Sequence, residues 1–146
     1  MEKELLTNLN KYLSNLGVLY IKLHNLHWNV VGINFKAIHE YFENLYDGIS
    51  VSLDKVAETI KMHEGTPLAS LKTYLELSTI EELPSVEVDN KTSLHIILKD
   101  FIKMKELVEQ IRKEADEEDL YDIVTLIEGE LEQYSKAIWF IKSMLK

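Results

Sequence analysis

The chain has 146 residues, of which 46% are hydrophobic and 28% charged, which suits a folded globule with a sizeable core and argues against disorder. It contains no cysteine, which excludes disulfides, thiolate metal sites and cysteine nucleophiles. The 25 acidic residues outnumber the 16 Lys and Arg, and a net charge of −9 without a basic cluster disfavours DNA and anionic membranes as partners.

The opening "MEKELLTNLNKYL" has no signal-peptide pattern, and no apolar run is long enough to cross a bilayer. A single cytoplasmic domain over residues 1–146 is expected. The first helix is predicted from about Lys3 to Asn29, with Leu9, Leu13, Leu16, Tyr20 and Leu23 on one stripe. "VVGIN" then turns the chain, and Asn34 is a candidate N-cap. The second helix, Phe35 to Met62, carries Phe35, Ile38, Phe42, Ile49, Leu53, Val56 and Ile60 on its apolar face. The segment "HEGTPLASLKTYLELSTIEELPSVEVDN" holds both prolines, Pro67 and Pro84, and is too long for a tight turn; one short helix is expected around Leu68 to Glu76. A third helix opens at Asn90 or Thr92 and carries Leu94, Ile97, Leu98, Phe101, Met104, Leu107, Val108 and Ile111. An acidic break, "EADEED", leads to the fourth, marked by Leu120, Ile123, Ile127, Leu131, Tyr134, Ile138 and Ile141.

Four long amphipathic helices make a bundle. The short first connection makes helices one and two antiparallel, and the long second connection lets helices two and three run parallel. The expected fold class is all-α, a ferritin-like four-helix bundle with one long crossover containing a short helix.

On a wheel of about 100° per residue, His39, Glu43, Asp54 and Glu58 lie together on the flank of the second helix's apolar face. His27 continues the first helix's stripe, four residues after Leu23, and the turn at Gly32 brings it towards His39. Asp54 lies roughly 22 Å along the helix from His39, so the two cannot share a site within one chain. A second copy of this helix, placed antiparallel across a twofold axis between Gly48 and Ile49, pairs His39 with Glu58 and Glu43 with Asp54. Gly48 is expected to allow close approach there. Each of the two identical sites would then hold two imidazoles and three carboxylates. That donor set suits iron, manganese or zinc, and carboxylate-rich helical sites favour iron. Singly, each of these residues reads as a solvated flank or a structural histidine; five with this spacing do not.

The stretch "HWNVVGINFKAIHEYFENLYDGISVSLDKVAETI" resembles the signature of the Dps family of mini-ferritins. His27, His39, Glu43, Asp54 and Glu58 fall on the family's ligand positions without a gap, and the likeness continues through "GTPLASLKTYLELSTIEE" and "SKAIWFIKSML". The resemblance implies a homo-oligomeric, dodecameric shell that oxidises Fe(II), typically with hydrogen peroxide, and stores ferric mineral. It implies a ferroxidase site between twofold-related subunits, with His27 and His39 from one and Asp54 and Glu58 from the other. The family usually has Asp where Glu43 stands, and one added methylene moves that carboxylate relative to the iron.

Trp28 is either an electron donor near the iron, as the resemblance implies, or a packing aromatic. Glu40 is a candidate mineral nucleation point against a solvated glutamate; His24 is a supporting or surface residue; His63 and His95 show no partner spacing. Trp139 is expected in the core. Among Asp116, Asp119 and Asp122, which the resemblance places near an iron-admitting pore, Asp122 is the best candidate. The competing readings are DNA condensation, which the absence of basic tails argues against, and a structural or antigenic bundle without iron chemistry.

Overall fold

The computed structural model describes residues 1–146 and contains five helices: α1 (Lys3–Asn29), α2 (Phe35–Met62), α3 (Leu71–Leu77), α4 (Asn90–Glu117) and α5 (Tyr121–Leu145). The bundle is the ferritin-like one expected, with α3 as the short helix of the crossover. α1 is buried on more than the single stripe read from the sequence. Leu5, Leu9, Tyr12, Leu13, Leu16, Leu19, Leu23 and Leu26 are all fully covered, because α2, α3 and α4 pack around this one helix.

Two short strands, β1 (Val30–Val31) and β2 (Val88–Asp89), pair in parallel, with Val30 opposite Val88 and Val31 opposite Asp89. The sequence pattern did not reveal this bridge, since its halves lie far apart along the chain. It decides the topology: β1 precedes α2 and β2 precedes α4, so α2 and α4 start at the same end and run parallel. The crossover between them is held down by two buried asparagines of α1. Asn10 donates to the Thr66 carbonyl (3.2 Å) and accepts from the Leu68 amide (2.8 Å). Asn15 accepts from the Thr79 amide and the Ser78 hydroxyl (both 2.8 Å) and donates to Thr79 Oγ1 (3.0 Å). α3 lies close to α1 at Gly17, where a Cβ would strike the Tyr74 ring.

Several local expectations are corrected. Asn34 makes no side-chain cap; Gly32 turns the chain with φ +136°, a conformation open to glycine, and Asn90 Oδ1 takes the Asn34 amide. The cap of α4 is Asp89, which accepts from the Thr92 amide and hydroxyl. "EADEED" is not a break throughout: α4 continues through Glu117, and Asp119 turns the chain at φ 56°. Phe35 is exposed, since it begins α2 ahead of the packed turns. Trp139 is also exposed, five residues beyond buried Tyr134 and so about 140° round the helix from it.

Candidate metal centre

His27 sits in the last turn of α1 and His39 in the second turn of α2, and the Gly32 turn folds one against the other. Their rings stack with centroids 3.6 Å apart at 11°. Each Nδ1 lies 2.6 Å from the other residue's backbone carbonyl oxygen. A carbonyl only accepts, so each Nδ1 carries the proton and each Nε2 is left with a free lone pair. Fixing the ring through one nitrogen and presenting the other is the arrangement a metal-binding histidine needs. Glu43, one turn beyond His39, places Oε1 3.7 Å from His27 Nε2.

Asp54 and Glu58 project exposed from the same flank of α2, near its other end, with no ion pair of their own. Within one chain no three such donors converge on a common point. His27 thus meets His39 through its ring and Glu43 at 3.7 Å, and Asp54 and Glu58 lie away from all three.

A ferritin-like domain matches residues 6–146. The chain is 36% identical over 150 residues to a "DNA protection during starvation protein 2" of Bacillus anthracis, covering 99% of each chain. Its fold superposes on the antigen TpF1 of Treponema pallidum with TM-score 0.96, at 33% identity over 98% of this chain and 92% of that one. A DPS protein from Vibrio cholerae, described as belonging to a broad superfamily of ferritin-like diiron-carboxylate proteins, gives 0.94 at 26% identity, covering 99% and 90%. The chain belongs to the ferritin-like Dps family.

In this Dps chain Gly48 lies nine residues after His39, half a turn round α2, and so faces away from the candidate ligands. It lines a groove of about 330 Å³ with Ile49, Tyr134, Ala137 and Phe140. Gly48 is therefore not on the flank that carries the candidate ligands. Trp28 is exposed and meets neither His27 nor His39; its ring neighbour is His24, at 5.4 Å. Glu40 is a solvated glutamate paired with Lys36 at 3.8 Å.

Sequence reasoning overlooked Tyr46. Its ring meets His27 edge-on at 5.3 Å, stacks on His24 at 3.7 Å, and carries its hydroxyl 3.5 Å from Glu43 Oε1. Desolvation, then the Glu43 and Asp47 charges, push its phenol above the usual 10.0. Its position, seven residues after His39 and three after Glu43, was the available signal, since that spacing returns to one helix flank. His63 does have a partner: Nε2 lies 2.8 Å from Asp122 Oδ2, and this hydrogen bond holds the Asp122 carboxyl below its ordinary value. Asp116 pairs with Arg112 at 3.8 Å, and Asp119 accepts from the Tyr121 hydroxyl at 3.1 Å.

Proposed function

We propose that this chain is the subunit of a homo-oligomeric cage, a dodecamer, that oxidises Fe(II) with hydrogen peroxide and stores the ferric product, limiting oxidative damage. The observation that carries the reading is the reciprocal histidine clasp. It presents two Nε2 nitrogens, that of His27 3.7 Å from Glu43, while Asp54 and Glu58 stand unpaired roughly 22 and 28 Å along the same helix from His39. An antiparallel α2 from a second subunit brings Asp54 and Glu58 to His27, His39 and Glu43, completing two equivalent sites. The exposed apolar side chains fit a face that a second copy covers. Ile21, Leu71 and Leu75 line one apolar depression of about 230 Å³, and Trp28 lies two turns along α1 from Ile21.

Iron enters here as substrate. The imidazoles and carboxylates would bind two Fe(II) ions and offset most of their charge, and the mixed nitrogen and oxygen donors suit both oxidation states. Two Fe(II) supply the two electrons that convert one peroxide to two hydroxides, so no hydroxyl radical is released. Trp28 stands apart from the ligands, linked to His27 only by way of the His24 and Tyr46 rings. No helix is long and apolar enough to cross a membrane, and the charge of −9 disfavours DNA.

The test is anaerobic loading with Fe(II), then peroxide, with ferric absorbance and residual peroxide both followed. One peroxide consumed per two irons is expected. Slow oxidation indifferent to peroxide would overturn the reading.

A further inference from the structure

The groove beside Gly48 opens between α2 and α5, and Ile49, Phe101 and Tyr134, all buried, form its floor. The Tyr134 hydroxyl is engaged by Tyr12 in the core at 2.7 Å, so this residue offers the groove its ring alone. At the rim, the rings of Tyr41 and Phe140 come from opposite helices and stand 6.3 Å apart, within 23° of parallel. Gly48 keeps one wall open: a Cβ there would meet nothing within 4 Å. Glycine inside a helix costs stability relative to alanine, and here no packed neighbour requires it. Eleven residues line the groove, and in a chain of net charge −9 the only charged one among them is a cation, Lys136. Its Nζ lies 5.5 Å from the centroid of the Phe140 ring and forms no ion pair. The amides of Asn44 and Gln133 line the same groove without a hydrogen bond to the rest of the chain.

We propose that this groove binds a small aromatic carboxylate, its ring against the apolar floor and its carboxylate at Lys136. Body and head of such a molecule answer to different parts of the lining. The ring faces of Tyr41, Phe101, Tyr134 and Phe140 suit a flat, rigid body better than a flexible chain, which would lose more rotamer freedom on binding. One ammonium, with the Asn44 and Gln133 amides as further donors, balances a single negative charge; a phosphate dianion would be left half compensated. Burial pushes the Tyr41 phenol up to about 12, so it keeps its proton at neutral pH and remains a donor. A cavity of about 330 Å³ stands at the lower end of the roughly 300–1,000 Å³ typical of small-molecule sites, which suits one or two rings rather than a polypeptide segment. This binding needs neither iron nor the shared site at His27 and His39.

The assembled protein is titrated with 2-naphthoate by calorimetry, without iron. Saturable binding of one 2-naphthoate per chain is expected, together with a rise in Tm. The neutral analogue 2-naphthalenemethanol should bind about fivefold more weakly, and Lys136→Met should weaken 2-naphthoate by about the same factor while leaving the alcohol unchanged. Decanoate, which carries the same head on a flexible chain, should bind more weakly than 2-naphthoate. Gly48→Leu fills the open wall and should abolish 2-naphthoate binding with helix content and particle mass unchanged. No binding at millimolar 2-naphthoate would overturn the proposal, as would equal affinity for acid and alcohol, tighter binding of decanoate, or binding that survives Gly48→Leu. A Gly48→Leu particle that separates into folded subunits would also overturn it, because another copy of the chain would then be what covers this groove. The Lys136→Met comparison decides the matter even where Gly48→Leu does not fold.

Discussion

A histidine ring has two nitrogens, and in both His27 and His39 a backbone carbonyl has already taken one. The same attention to single atoms separates the other charged residues. Asp122 is held below the ordinary carboxylate value of 3.8 by its bond to His63. A carboxyl whose pKa is lower in the folded state contributes stability above its unfolded value and loses that contribution as pH falls through the lowered one. In a carboxyl-detected NMR titration, Asp122 should therefore have its midpoint below 3.8, and His63→Ala should move it upward; no movement would contradict the pairing. Lys22 and Asp100 form an ion pair of 2.6 Å with both side chains 5% exposed. Burial pushes the Asp100 carboxyl up, in spite of Lys22. Removing one partner strands the other charge, so Asp100→Ala should cost about 3–5 kcal/mol, read as a lower urea midpoint. A double replacement by Met and Leu should recover most of it.

At the scale of elements, apolar periodicity located α1 and α2 at the bounds observed, because long one-sided patterns leave little choice of helix or face. It was weakest where a contact from elsewhere decides. α3 begins at Leu71, since Ser70 caps it by accepting from the Thr73 amide, later than the expected Leu68. Asn10 and Asn15 look like ordinary polar interruptions of α1, yet they are buried and bind the crossover. Asn15→Leu would leave the Thr79 amide and the Ser78 hydroxyl without that acceptor, at a cost of about 1–3 kcal/mol. Hydrogen exchange should quicken around Thr79 and along the crossover while the centre of α5 keeps its protection. Uniform acceleration through the whole chain would show that the clamp is not local.

For the whole molecule, the proposed pairing of half-sites at opposite ends of α2 would make activity a property of an assembly. Light scattering at neutral pH should find a closed particle near the mass of a dodecamer. His39→Ala and Asp54→Ala should each abolish most rapid oxidation of iron. If a site combines His39 of one chain with Asp54 of its partner, a mixed dimer of the two variants has one site lacking both ligands and one intact. Subunits dissociated, mixed and reassembled should recover activity, up to about one half if only mixed dimers form. No recovery after verified mixing would place the whole site within one chain.

The sequence by itself determined the bundle, its crossover and the five candidate ligands, since helical period and rise alone put His39, Glu43, Asp54 and Glu58 on one flank and keep the two ends apart. It also carried Tyr46 on that flank, in a spacing that a search for carboxylates and imidazoles passes over. Only the tertiary structure decided which nitrogen each histidine presents, because that depends on carbonyls twelve residues away across a turn. The partner of His63 lies 59 residues off, and buried Glu130 takes its hydrogen bonds from Tyr12, 118 residues away, and from Ser52, 78 residues away. Such contacts follow from how helices pack, and a linear pattern holds no record of them. Gly48 is a different case: helical period alone puts it half a turn from His39, so its direction was legible in the sequence and was passed over.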